Sequence, residues 1–414
     1  MKKVIAILLM LTMVFSFAAC GGDDADSAGS DLKIGVILVG DENEGYTYAH
    51  MEGIKTAAKN LGIADDQIIW KYSVAEDESC FDAAADLADA DCTAIFSNSY
   101  GHQSYMVQAA EEYPDVQFVS MTGDTAAVCG LDNMHNAFTK VYESRYVSGI
   151  VAGMKLAELI ENNEVPATGI DADGNYKIGY VGAYPYAEVV SGYTAFYLGI
   201  KSVVENVAME VTYTNSWFDI AAEGTAAESL MADGCVIIGQ HADSTGAPAA
   251  VQAAQEKGTV AYSVGYNVDM LSVAPQAALT SATNNWAVYY EEAFKALMDG
   301  EDLAVDWSEG YETGAVAITE LGESCAEGTQ EAVDKAIAAI KDGSLQVFDA
   351  SKWTVDGKNL TTYTFDSTII DFSTGNVVYE GQKYEAIVDG AFVESNFRSA
   401  PYFDVRIDGI TELN

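Results

Sequence analysis

The chain has 414 residues, too many for one ordinary domain and enough for two, each with its own core. Its 63 acidic residues against 20 basic ones leave a formal net charge of -43, a field that repels phosphate backbones and excludes nucleic acid as a partner. The arginines are Arg145, Arg398 and Arg406, none in a recognisable cleft motif, and no GxxxxGK[ST] loop occurs, so the ligand expected is uncharged or cationic.

Residues 1–31 read as an export signal and tether. Lys2 and Lys3 form a basic start, residues 4–19 an apolar run shorter than the roughly 20 residues that span a bilayer, and Phe17-Ala18-Ala19 places small residues before Cys20. This resembles the lipobox of bacterial lipoproteins, with Phe17 where leucine is usual. It implies a signal peptide over 1–20, acyl chains such as palmitate on Cys20, a solvated tether over 21–31, and a cell-membrane, lipid-anchored protein on the extracytoplasmic face.

From residue 32 the pattern alternates β-rich runs with helical ones. Strands are predicted at 33–39 (KIGVILV), 67–72, 94–97, 117–120, 177–181, 210–213, 236–239 and 260–265. Helices are predicted at 46–61, 80–90, 102–113, 141–160, 187–204, 219–231 and 248–257, with a late aromatic-rich one at 284–298. Strands and helices in this alternation specify α/β lobes, each a parallel sheet flanked by helices, with ligands at the edge where the strands end. A polar stretch at 132–139 predicts the first crossing between lobes. After 347 the pattern changes to short alternations that predict antiparallel strands closing the second lobe.

Cys80, Cys92, Cys129, Cys235 and Cys325 are odd in number and lack CxxC spacing, so they read as small buried apolar residues. His50, His102, His135 and His241 lie far apart without HExxH spacing, which gives metal chemistry no foothold.

Segment after segment then carries a family resemblance: 40–54 (GDENEGYTYAHMEGI), 97–102 (SNSYGH), 113–118 (YPDVQF), 144–153 (SRYVSGIVAG), 178–182 (IGYVG), 215–219 (NSWFD), 240–244 (QHADS), 264–270 (VGYNVDM) and 279–281. In order and spacing these are similar to the basic membrane protein (BMP) family, lipoprotein substrate-binding components of ABC importers for purine nucleosides and related compounds. The resemblance covers about 32–320. It implies a two-lobe periplasmic-binding-protein type I fold, with an N-terminal lobe of 32–138 and about 276–325 and a C-terminal lobe of 139–275 and about 326–414. It also implies a monomer that hands a purine-type small molecule to an ABC permease. The family's nucleoside branch is expected to use an aspartate and a lysine where Asn267 and Asn284 stand here, which leaves base against nucleoside open.

Candidate ligand-binding residues follow from strand-end positions. Asp41 and Asn43 lie where free backbone N–H groups begin a helix, and either cap it or face the cleft. Thr122 and Asp124 hold the equivalent place after the fourth strand. Tyr46, Tyr184, Tyr186, Trp217, Tyr266 and Trp286 are aromatic where a core would be aliphatic, and flat heterocycles stack on such faces. Gln240, His241 and Asp243 complete one strand end, and Asn267 and Asn284 or Asn285 could supply the amide that pairs in two-point fashion with a purine edge. For Trp286 the competing reading is packing; for Asn267 it is turn formation.

An enzyme needs a nucleophile, an acid and base pair or a metal at convergent positions, and no such signature is present. Asp41, Asp124 and Asp243 as a nucleoside-hydrolase set is a remote alternative. No cofactor is expected. A receptor reporting its ligand to a membrane signalling partner would use the same closure as a transporter component, so both stay open.

Overall fold

The computed structural model describes residues 32–370 and 374–414. The predicted signal peptide, Cys20 and the tether lie outside the described residues. No helix among those described is long and apolar enough to cross a membrane.

The first lobe is built on strands β1 (Ile34–Ile37), β2 (Ile68–Lys71), β3 (Ala94–Ser97), β4 (Gln117–Met121) and β5 (Met134–Ala137). Between them run α1 (Gly45–Leu61), α2 (Glu78–Asp89), α3 (Gln103–Glu112) and the one-turn α4 (Ala126–Cys129). All of the strand pairings are parallel and the sheet is buried on both faces, which is why its strands read as near-continuous apolar runs rather than alternations. The chain then crosses into α5 (Val141–Glu161) and a second series: β6 (Tyr176–Gly182), α6 (Ala187–Lys201), β7 (Val207–Tyr213), α7 (Ile220–Ala232), β8 (Ile237–Gln240), α8 (Gly246–Gln255), β9 (Tyr262–Tyr266) and β10 (Ala278–Asn284).

Next come α9 (Ala287–Asp299), β11 (Asp306–Trp307), β12 (Val316–Ile318) and α10 (Thr329–Lys341). Their sheet membership corrects the expected lobe boundary. β10 pairs in parallel with β9, and β12 runs antiparallel to β10, so both belong to the second sheet. α9 carries Trp286, Tyr289, Tyr290 and Phe294 into the core of the first lobe, and β11 extends the first sheet beside β5. The piece returned to the first lobe is therefore about 285–309 rather than 276–325. β10 was hard to read because its sequence, ALTSATN, is small and polar with few β-branched residues, and the predicted helix began on its last residue.

The final segment forms short hairpins: β13 (Thr364–Asp366) with β16 (Lys383–Glu385), β14 (Ile369–Ile370) with β15 (Val377–Tyr379), and β17 (Ile387–Val388) with β18 (Ala391–Phe392). β19 (Ile410–Glu412) then lies parallel to β7 as the edge strand of the second sheet. The sheets read β11-β5-β4-β3-β1-β2 and β12-β10-β9-β8-β6-β7-β19. The segment's aromatics pack into the second lobe's core, with Phe348 stacked on Phe403 at 4.3 Å between ring centroids and Phe365 on Tyr402 at 4.0 Å. Antiparallel closure of the second lobe was expected. The parallel edge strand β19 was not.

Candidate functional site

The carboxyl ends of β1, β3 and β4 from one lobe face those of β6, β7, β8 and β9 from the other across a cavity of about 680 Å³. That volume lies within the range of small-molecule pockets.

The first-lobe wall begins at the β1 to α1 loop. Asp41 and Asn43 both line the cavity, and they also make a turn: the Asp41 carboxylate accepts the backbone N–H of Asn43 at 2.9 Å and its amide at 2.8 Å. Glu44 follows, buried, with its carboxylate bonded to the Thr47 hydroxyl; burial raises its pKa above the usual carboxylate range, and the Thr47 bond opposes this. Tyr46 presents a ring to the cavity while its hydroxyl donates to the Asn98 carbonyl at 2.7 Å. At the end of β4, Thr122 takes φ +67° and lines the cavity with Asp124. The Asp124 carboxylate accepts from Gln103 at 3.0 Å and from Tyr100 at 3.3 Å, and it forms an ion pair with Arg398 at 3.1 Å.

On the second-lobe wall three aromatic rings cluster. Tyr184 stacks on Tyr186 at 5.2 Å and meets Trp217 edge-on at 5.0 Å, with Tyr186 6.1 Å from Trp217. Tyr186 and Trp217 line the cavity directly; Tyr184 supports them from behind. Tyr186 also comes within 6.4 Å of Tyr100 on the opposite lobe. His241 pairs its Nε2 with Glu188 at 2.8 Å and lies against Tyr266. Burial lowers the pKa of His241, and the Glu188 carboxylate works against that. Asp243 accepts from the Asn267 amide at 2.6 Å, and burial holds its carboxyl well above the usual range, helped by Glu44, Glu223 and Glu188 nearby. The lobes touch here too, the Gly45 N–H reaching the Asp243 carbonyl at 3.4 Å.

Besides Tyr184, four expected contacts lie behind the wall. Gln240 braces the β8 to α8 loop, its amide donating to the carbonyls of Ala242 at 2.7 Å and Ser244 at 2.9 Å. Asn267, at φ +61°, makes the turn that its competing reading proposed, and holds Asp243 in place. Asn284 donates to the Asn267 side-chain oxygen at 3.1 Å and bonds Thr139, so it braces the second lobe against the crossing segment that follows β5 rather than facing the cavity. Trp286 is 1% exposed and stacks on His50 at 4.2 Å, deep in the first lobe. Its packing reading is the correct one, because α9 belongs to that lobe.

The sequence reading missed Glu44, Glu188 and Tyr100, which line the cavity, and the whole contribution of the C-terminal segment. Asp366, Thr368, Ile369, Ile370, Arg398, Ala400, Pro401 and Asp404 form a third side. Arg398 therefore does reach the cleft, contrary to expectation. Arg145 is buried behind the site, its guanidinium 3.5 Å from the centre of the Tyr266 ring and its Nη1 donating to the Gln240 carbonyl at 2.6 Å. No group of three or more side chains able to hold a metal ion is found among the described residues.

Two parallel-sheet lobes joined by crossing segments, with a partly apolar cavity between facing strand ends, have the architecture of a solute-binding protein. The chain belongs to the Bmp family of PnrA-like ABC transporter substrate-binding proteins, which matches residues 32–349. It is 31% identical over 366 residues to a purine-binding protein of Brucella abortus, covering 86% of this chain and 95% of that one. It is 29% identical to a protein of Haloferax volcanii named provisionally as an ABC transporter glucose-binding protein, covering 74% of this chain and 71% of that one. Among solved structures, an ABC transporter solute-binding protein from Aeropyrum pernix superposes with a TM-score of 0.65 at 16% identity, over 77% of this chain and 93% of that one. The last likeness is one of fold.

Proposed function

We propose that this receptor captures a purine nucleobase or nucleoside outside the cytoplasmic membrane, held there by acyl chains on Cys20, and delivers it as a monomer to an ABC permease. The observation that carries the reading is the pairing of flat aromatic faces, Tyr186 and Trp217, with surrounding carboxyl groups, the buried Glu44 and Asp243 and the half-buried Glu188. A purine ring presents π faces to the first and N–H donors to the second, and desolvation between stacked rings supplies binding without any bond being made. The purine-binding relative supports the same ligand class.

Mass spectrometry of whatever co-purifies with the protein, followed by calorimetry with adenine, hypoxanthine, guanosine and glucose, tests it. Binding of a purine at micromolar concentration or better with no response to glucose is expected. Glucose binding alone would sink the purine reading, and release of free base from guanosine would mean an enzyme. For the anchor, Cys20→Ser should move the protein out of the membrane fraction; retention there would exclude lipidation at Cys20.

A further inference from the structure

We infer that residues 350–414, which lie beyond the family match, are a working third wall of the ligand site, and that Arg398 is a specificity-determining residue that fastens this wall to the first lobe. The probes used to test this rest on the purine reading above.

The segment is rooted in the second lobe. Phe392 and Phe403 pack into that lobe's core, Ser191 of α6 donates to Glu394 at 2.5 Å, and β19 adds an edge strand to its sheet. Its contacts with the first lobe include an apolar one, Tyr379 of β15 packed against the cluster that contains Cys80, Met106 and Phe118, and polar ones beside the cavity. Arg398 Nη1 lies 3.1 Å from the Asp124 carboxylate, and the neighbouring Ser399 N–H donates to Asp306 of β11 at 2.8 Å. Between the root and these contacts, Ile369, Ile370, Ala400 and Pro401 give the cavity an apolar side that neither sheet provides.

Arg398 is held in position by its own surroundings. Its Nε donates to the Ala400 carbonyl at 3.1 Å, and the guanidinium lies 5.0 Å from the centre of the Phe365 ring. A guanidinium fork has five donors, so these two bonds leave capacity for an acceptor on a ligand. The partner carboxylate, Asp124, has a side chain only 7% exposed, with Gln103 and Tyr100 as its neutral donors. Removing Arg398 would strand a buried carboxylate, which is costly, and would add an uncompensated negative charge to a wall that already carries Glu44, Glu188 and Asp243. The pair thus does two things at once. It draws the third wall against the first lobe, and it cancels the charge of Asp124 so that a neutral ring, rather than an amine, suits that side of the cavity.

The test uses the full chain with hypoxanthine, adenine and guanosine as probes, read by calorimetry and stopped-flow fluorescence, beside hydrogen exchange of the ligand-free protein. Arg398→Gln should weaken the best probe at least tenfold, mainly through faster dissociation, and should raise exchange across residues 122–126. Arg398→Lys should recover part of both. Ile370→Glu, at a position 44% exposed, should weaken the probe several-fold with no change in exchange at 122–126 or in thermal midpoint. Unchanged binding and unchanged exchange in Arg398→Gln would overturn the proposal, as would normal binding by Ile370→Glu. If the unmodified protein binds none of the three probes, the purine reading has failed; the exchange comparison in Arg398→Gln then decides the fastening by itself.

Discussion

Both carboxylate oxygens of Glu223 accept the backbone N–H of Ser244, at 3.3 and 3.2 Å, and one of them also takes the Asp219 N–H at 3.1 Å. A single buried side chain on α7 therefore holds the loop that carries Asp243 and the loop that carries Trp217. Burial pushes its pKa up to about 7, with the three hydrogen bonds opposing the shift.

A raised carboxyl pKa has a definite sign. The native state binds the proton more tightly than the unfolded chain, so stability falls as pH rises through the window from about 4.5 to about 7. Glu223→Gln keeps an acceptor for Ser244 and removes the titration. Measured by calorimetric melting between pH 4 and pH 8, the wild type should lose stability relative to Glu223→Gln across that window, by at most about 3 kcal/mol. A constant difference would mean that the carboxyl is not shifted. The buried histidines His50 and His241 act in the opposite direction on the whole protein: their pKa values are lowered, so their effect is a loss of stability as pH falls below about 6.5.

Trp217 is half-buried, with Tyr184 and Tyr186 on its edges and the cavity beyond. Trp217→Ala should lower purine affinity at least tenfold, because an aromatic pair contributes about 0.5 to 1.5 kcal/mol beyond burial and lost apolar area adds a similar amount. The melting point of the ligand-free protein should change little. A variant that binds normally and melts far earlier would place Trp217 in the core.

The opposite pattern is expected of Trp286. It fills the space between α1 and α9, where a Cβ on Gly53 would already come within 2.7 Å of its own Cβ. Trp286→Ala should cost about 3 to 5 kcal/mol of stability, read by denaturant unfolding, while the affinity of the protein that remains folded stays within a few-fold.

Nucleotides should bind worse than bases. The cavity wall carries Asp41, Glu44, Glu188, Asp243, Asp366 and Asp404, and the positive charge of Arg398 is already balanced by Asp124. Hypoxanthine and guanosine should therefore bind at least tenfold tighter than their monophosphates by calorimetry, since a phosphate brings negative charge to a wall of carboxyl groups. Tighter binding of a monophosphate would show that Arg398 offers the phosphate enough attraction to outweigh the carboxyl groups of the wall.

The two-lobe architecture was legible because parallel strands buried on both faces leave apolar runs such as IGVI and AIFS between helical stretches. The strand-end rule was equally informative: Asp41, Asn43, Tyr46, Thr122, Asp124, Trp217, His241, Asp243 and Tyr266 do line the cavity. It failed for Gln240, Asn267 and Asn284, because strand-end position does not say which way a side chain turns, and here amides turn inward to satisfy loop carbonyls and Asp243. Arg398 could not have been found by that rule. It lies in an irregular stretch between β18 and β19, and only the tertiary return of the chain brings it to Asp124.

The edge strand β19 sets Ile410 beside Met209 and Glu412 beside Val211, while the first lobe receives α9 and β11 from residues beyond 286. Neither lobe can assemble all of its parts from a continuous stretch of chain. Loop closures of this length carry an entropy cost before their contacts are made, and contacts so distant in sequence slow folding. Because synthesis proceeds from the amino end, the second sheet keeps an open edge at β7 until residues 410–412 are available. Each lobe is thus completed only when distant segments return to it, and any chain stopped short of residue 410 would keep β7 paired with β6 but present its other edge, open, to neighbouring molecules.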